Sequence, residues 1–191
     1  MKKLQKICLI AGIALLAVAA VVLIAWQWGI HSANEKAAYY VQSIQALTPQ
    51  AQSAVPEPRR DNTMPVLSID GTDFAGVIEM PRFGSALPVG AQWGKVSKYP
   101  CLFDGSAYDS TLQIGASSQA GQYDFYRDIS VGDSVFFTDM AGNRFSYRVT
   151  DICYEKHADQ ATLQKADANL TLFIQNIYAF EYIVISCDIS K

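Results

Sequence analysis

Val135-Phe136-Phe137-Thr138-Asp139-Met140-Ala141-Gly142-Asn143-Arg144-Phe145-Ser146-Tyr147-Arg148-Val149 contains two alternating runs joined by Met140-Ala141-Gly142-Asn143. Alternation is the period of a half-buried strand, and Gly-Asn is a hairpin signal because both residues tolerate positive φ. The stretch therefore predicts a strand, a tight turn and a second strand. Outward from it the same character persists: short runs rich in Val, Ile, Phe and Tyr are separated by Gly, Asp, Asn and Ser. About eight strand candidates fall within residues 66–191, which predicts a mainly β domain with enough strands to close a barrel and remove exposed edges. Short helical turns are expected at residues 123–129 and 159–165. No internal repeat or low-complexity tract interrupts the pattern.

The chain has 191 residues, half of them apolar and 17% charged, which fits one globular domain with accessory segments. A net charge of −3 gives no basic face or stripe, so nucleic-acid binding is not expected. Lys2, Lys3 and Lys6 precede an apolar run over residues 7–25 that is followed by Trp26 and Trp28. At about 1.5 Å per residue such a run can cross a hydrocarbon core of roughly 30 Å. Positive charge before it and aromatic residues after it orient it N-in, with the rest of the chain outside the cytoplasm. A cleaved export signal is the competing reading, because Ala17-Val18-Ala19 has the small-residue pattern of a cleavage site. Apolar sequence continuing through Val21-Val22-Leu23-Ile24 favours an uncleaved single-pass anchor, and either reading exports the domain.

These readings divide the chain into a cytoplasmic N-terminus (1–6), a transmembrane signal anchor (7–30), a helical stalk (31–47), a linker (48–65) and the β domain (66–191). Ala33, Ala37, Tyr40, Ile44 and Leu47 recur at three- and four-residue spacing and carry the stalk reading. Pro56, Pro58 and Pro65 resist helix and carry the linker reading.

Several landmarks in the β domain occur in the order found in one known family. They are Phe74-Ala75-Gly76-Val77-Ile78-Glu79-Met80-Pro81, then Leu87-Pro88-Val89, Tyr99-Pro100-Cys101, Leu112-Gln113-Ile114-Gly115-Ala116-Ser117-Ser118-Gln119 and Tyr123-Asp124-Phe125. The turn Ile129-Ser130-Val131-Gly132-Asp133, the hairpin and Asn169-Leu170-Thr171-Leu172-Phe173-Ile174-Gln175-Asn176 follow, and Tyr182-Ile183-Val184-Ile185-Ser186-Cys187 ends the series. This region, residues 66–188, resembles the sortases of class B and D-like type, cysteine transpeptidases that anchor proteins to Gram-positive cell walls. The resemblance implies a sortase-like closed β-barrel of about eight strands with short helices.

It also implies positions for a catalytic histidine, cysteine and arginine. Ser117 stands at the histidine position, Gln175 at the cysteine that ends a TLxTC motif, and Glu181 and Tyr182 near the arginine. An amide cannot attack a carbonyl as a thiolate can. The histidines are His31 and His157, neither near the histidine strand, and no arginine follows Arg148, so shifting the alignment does not restore the set. The expectation is a catalytically inactive, membrane-anchored accessory or binding protein in surface-protein or pilus anchoring at the Gram-positive envelope. Expected partners are the membrane and a sorting-signal peptide, a surface or pilin protein, or an active sortase.

Ser117, Ser118, Gln175 and Asn176 would leave the cleft polar and uncharged, flanked by Tyr178 and Phe180, and these six are the peptide-binding candidates. The bland alternative is that they fill a decayed site. The alternative function is an active transpeptidase or hydrolase using non-standard residues, through a Cys153–His157 dyad or Ser117 as nucleophile. Arg148 and Cys153 are five apart on one strand and are expected to face opposite ways. Cys101, Cys153 and Cys187 allow at most one intramolecular disulfide, with the pair undetermined, or three free thiols. Asp109, Asp133, Asp139 and Asp151 lie near turns or strand ends, where capping is the expected role. No metal site or cofactor is expected.

Overall fold

The structure, a computed structural model, describes residues 2–57, 61–94, 98–118, 128–156, 168–176 and 180–190. Helix α1 spans Lys2–Leu47 and is followed by β1 (Gln52–Ser53), β2 (Leu67–Ile69), β3 (Thr72–Met80), a 3-10 turn (Pro81–Phe83), β4 (Ser85–Gly90) and β5 (Cys101–Asp104). Next come β6 (Leu112–Ser117), β7 (Ser134–Asp139), β8 (Asn143–Glu155), β9 (Leu170–Asn176) and β10 (Glu181–Ile189). The expected helical turn at 159–165 and most of that at 123–129 lie outside the described residues.

Eight strands close on themselves in the order β3-β4-β5-β6-β9-β10-β8-β7, because β7 pairs both β8 and β3. All but two of the neighbouring pairs are antiparallel; β4–β5 and β6–β9 are parallel. The barrel interior is filled by alternate residues of these strands, among them Ile114, Phe137, Phe145, Tyr147, Leu172, Ile174, Ile183 and Ile185, all buried. The mainly β closed barrel read from the sequence is the observed fold, and it is preceded by a long apolar helix.

The hairpin turn differs in detail from its sequence reading. Of its two signal residues only Gly142 takes positive φ (82°), while Asn143 begins β8. Three residues, Met140 to Gly142, make the connection, with glycine at the left-handed position of a three-residue loop. Asp139 holds this turn from inside, 1% exposed. Its Oδ1 accepts the backbone N–H of Ala141 (2.9 Å) and Asn143 (2.8 Å), and its Oδ2 accepts Asn143 Nδ2 (2.7 Å) and the Tyr108 hydroxyl (2.6 Å). Asp133 likewise accepts the Ser130 N–H at 2.9 Å.

Helix α1 is long and apolar enough to cross a membrane, and the side chains of its apolar stretch face away from the protein. Its later part is docked on the barrel. Ala37, Val41 and Ile44 are buried against β2, β3 and β4, whereas Leu47 is exposed. Burying a valine and an isoleucine contributes about 4 kcal/mol, enough to seat the helix. Residues 48–57 and 61–65, which composition marks as linker, follow the barrel wall. Gln52 and Ser53 pair with Asn143 and Arg144, and Met64 is buried in the core. Prolines exclude helix but not an extended segment that pairs at an edge.

Asp139→Ala should be strongly destabilising, because it leaves two backbone N–H groups and a buried phenol without their acceptor. The expected loss is about 3 kcal/mol, or roughly 6–12 °C in Tm, with Asp139→Asn intermediate. Thermal unfolding of the detergent-solubilised chain followed by circular dichroism measures it.

Candidate functional site

Parallel pairing of β6 with β9 sets Ser117 opposite Gln175, and antiparallel pairing of β9 with β10 sets Gln175 opposite Tyr182. Partners in register point to the same side of a sheet, so these three side chains form one row across three strands. The row faces outward. Leu170, Leu172 and Ile174 fill the barrel, and the alternate positions Phe173 and Gln175 lie on the outer face. Ser117 is buried and Gln175 exposed.

The other sequence candidates divide. Asn176 pairs with Glu181, one position out of phase with the row, and its Nδ2 lies 3.5 Å from Glu181 Oε1. Alternation puts this pair at the barrel mouth rather than on the outer face. Ser118 follows β6 and is buried. Phe180 precedes β10, is 87% exposed and holds a left-handed backbone (φ 53°), unusual for a bulky residue. Tyr178 lies outside the described residues, as do Tyr123, Phe125, Tyr126 and His157.

Beneath the row is a cluster that the sequence reading missed. Phe173 packs against Phe103 (5.1 Å between ring centroids) and Trp93 (5.6 Å), and Trp93 meets Phe103 at 5.1 Å. Val184, in register with Phe173, extends this apolar floor toward Tyr182 and Cys153. Gly115 makes the arrangement possible: a Cβ there would lie 2.4 Å from Phe173 Cζ and 2.5 Å from Trp93 Cζ3. A glycine inside an otherwise apolar strand signals such a close approach. Trp93 remains half exposed at the edge of the floor.

The chemistry of the row is that of hydroxyl, amide and phenol. These groups donate and accept hydrogen bonds and carry no charge. The described arginines are engaged elsewhere. Arg82 bonds both Asp133 oxygens (2.8 and 2.9 Å), Arg144 pairs with Glu79 over the Phe136 ring, and Arg148 donates to the Gly132 carbonyl at 2.9 Å.

None of the four cysteines is in a disulfide. Cys101 and Cys187 are buried, and burial pushes the Cys187 thiol far up. Cys153 lies at the outer face, where burial and the neighbouring Asp151 and Glu155 raise its pKa, the opposite of what a nucleophilic thiolate needs. Arg148 and Cys153 do not face opposite ways as five-residue spacing predicts. A bulge sets Val149 opposite Cys187 and Asp151 opposite Ser186, which skips Thr150 and returns both to the outer face. They are still separated by several strand positions, more than 10 Å at about 3.3 Å per residue.

Neither a protein-family model nor a curated protein sequence matches the chain. Among solved structures it is similar to sortase C-3 from Streptococcus pneumoniae, with a TM-score of 0.51 and 15% identity over 86% of this chain and 84% of that one. It is also similar to a sortase D5 transpeptidase of Clostridium perfringens (0.52, 13%, 62% and 79%). A third is sortase C of Clostridium perfringens with the C-terminal cell wall sorting motif (0.51, 19%, 63% and 72%). Identities this low make the likeness one of fold: the chain has a sortase-like barrel.

Gly115→Ala tests the aromatic floor. With Trp26→Phe and Trp28→Phe leaving Trp93 as the sole tryptophan, excited selectively at the red edge, the substitution should push Trp93 toward water. A red-shifted emission maximum and a destabilisation of about 1–3 kcal/mol are expected.

Proposed function

We propose that this protein is a membrane-anchored sortase-fold binding protein without transpeptidase chemistry, which holds an extended peptide against the outer face of β6, β9 and β10. The observation that carries the reading is the Ser117–Gln175–Tyr182 row. These residues stand, in register on adjacent strands, at or beside the positions where the sortase resemblance calls for histidine, cysteine and arginine. In that family the cysteine forms a thioacyl intermediate, the histidine manages the proton and the arginine stabilises oxyanion charge. Such groups act as a unit, and a site without all three retains only binding and positioning.

What remains suits binding. Polar uncharged side chains can pair with peptide backbone, and half-exposed Trp93, backed by buried Phe173, offers apolar contact together with exposed Phe180. One solved neighbour was determined with a cell wall sorting motif, which supports a sorting-signal peptide, or a surface or pilin segment, as the ligand class. The barrel would stand outside the cytoplasm, because Lys2, Lys3 and Lys6 precede the apolar span and favour an N-in anchor at a Gram-positive envelope. An active sortase is an alternative partner. The raised pKa of Cys153 speaks against catalysis by that thiol.

Purified protein should neither cleave nor transfer sorting-signal peptides, and Gln175→Cys alone should not restore turnover, since the thiol would lack a proton acceptor and an oxyanion donor. Turnover abolished by Ser117→Ala or Cys153→Ala would refute the reading.

Peptide binding should be weak, on the order of micromolar, because ordering a flexible segment offsets much of the contact energy. Titration of the single-Trp93 protein should perturb its emission, and Phe173→Ala should weaken the effect about tenfold or more. No perturbation with any sorting-signal peptide removes the groove from the function.

A further inference from the structure

A concavity lies between helix and barrel where α1 leaves its apolar stretch. An open cleft of about 330 Å³ lies between Gly29, Ser32, Lys36 and Tyr40 of the helix and Thr72, Lys98 and Tyr99 of the barrel. That volume is at the lower end of the range of small-molecule sites. Its back wall is aromatic: Tyr40 packs tilted against Phe74 at 4.8 Å between centroids, Phe74 meets Tyr99 at 5.3 Å, and Tyr99 is buried. Its rim is cationic. Lys36 and Lys98 both line it, and no carboxylate lies among its lining residues. The nearest helical acid, Glu35, faces His31 at 3.2 Å.

Position along the helix gives the cavity its meaning. The apolar run ends at Ala25, and Trp26 and Trp28 follow as interfacial residues. At about 1.5 Å per residue, Gly29 lies roughly 6 Å and Lys36 roughly 16 Å beyond the hydrocarbon edge. Helical side chains lean toward the N-terminus, so the Lys36 ammonium is carried about a turn back toward the membrane. The headgroup layer is roughly 5–8 Å deep on each side. At Gly29 the cavity therefore opens onto the headgroup layer, and the Lys36 ammonium, roughly 11 Å from the hydrocarbon edge, stands just outside that layer.

We infer that this cavity binds the phosphate headgroup of an anionic phospholipid, with Lys36 and Lys98 as the charge partners and the hydroxyls of Ser32 and Thr72 as further hydrogen-bonding groups. The inference rests on α1 crossing a bilayer and is independent of what the outer groove binds. Its consequence is mechanical: a headgroup held between helix and barrel seats the barrel on the membrane surface and fixes the direction in which the groove faces.

The test uses the full chain in a neutral detergent, titrated with dihexanoyl phosphatidylglycerol, dihexanoyl phosphatidylcholine or inorganic phosphate, with bound ligand counted by native mass spectrometry. Saturable one-to-one binding of phosphatidylglycerol is expected, far tighter than either alternative. Lys36→Gln with Lys98→Gln should weaken it about 30-fold, roughly fivefold per lysine, while Lys156→Gln, just past the end of β8, should not. Ser32→Trp, which fills the cavity mouth and keeps both lysines, should abolish it, so a loss in the lysine variants cannot be dismissed as misfolding. Equal binding of the two lipids, or no effect of the lysine substitutions, overturns the proposal. Inorganic phosphate binding as tightly as phosphatidylglycerol overturns the lipid assignment in favour of a soluble anion.

Discussion

The parallel pairing of β6 with β9 is the constraint on which the barrel and the row on its outer face both depend. Six consecutive positions pair, from Leu112 opposite Leu170 to Ser117 opposite Gln175. On the inner side this ladder stacks Leu112, Ile114 and Ala116 against Leu170, Leu172 and Ile174, the centre of the core. On the outer side it lays Phe173 over Gly115 and brings Ser117 to Gln175. A slip of one residue would exchange the faces, exposing the leucines and burying the glutamine, so the apolar core enforces the register that builds the row. The core thereby sets the geometry of side chains it does not touch.

Closure extends that rigidity around the molecule. Strand β7 pairs with β3 on one side and β8 on the other, so no long edge is left between the two halves of the sheet. Its far end is tied by Asp139, which satisfies the hairpin turn and reaches across to Tyr108. Arg144 lies beside that turn, paired with Glu79 on β3 and stacked on Phe136 of β7. These polar contacts are partly or fully shielded from water, where hydrogen bonds to charged groups contribute more than exposed ion pairs do.

The docked end of α1 changes what the helix is. A free stalk would decouple the barrel from the membrane. Val41 and Ile44, packed with Phe74, Val77 and Tyr99, instead couple the two, and β1 and Met64 continue the contact around the barrel. The outer row and the cationic cleft therefore belong to one body with the docked part of α1.

Much of this was legible in the residues themselves. The apolar run at 7–25, the alternation on either side of Gly142 and the glutamine at 175 are local features, and local sequence alone determined the apolar helix, the hairpin and the want of a thiol at that strand end. What a residue faces depends on partners far along the chain, and there the sequence was silent. A bulge skipping Thr150 turned Arg148 and Cys153 to the same side against their spacing. Pairing of β9 with β10 separated Asn176 from Gln175, and Gly115 became the floor beneath Trp93 and Phe173. Periodicity reports which residues alternate; only the closed ladder of non-local hydrogen bonds decides which of the two faces is inside, because that choice is made by the apolar surface the whole barrel can bury.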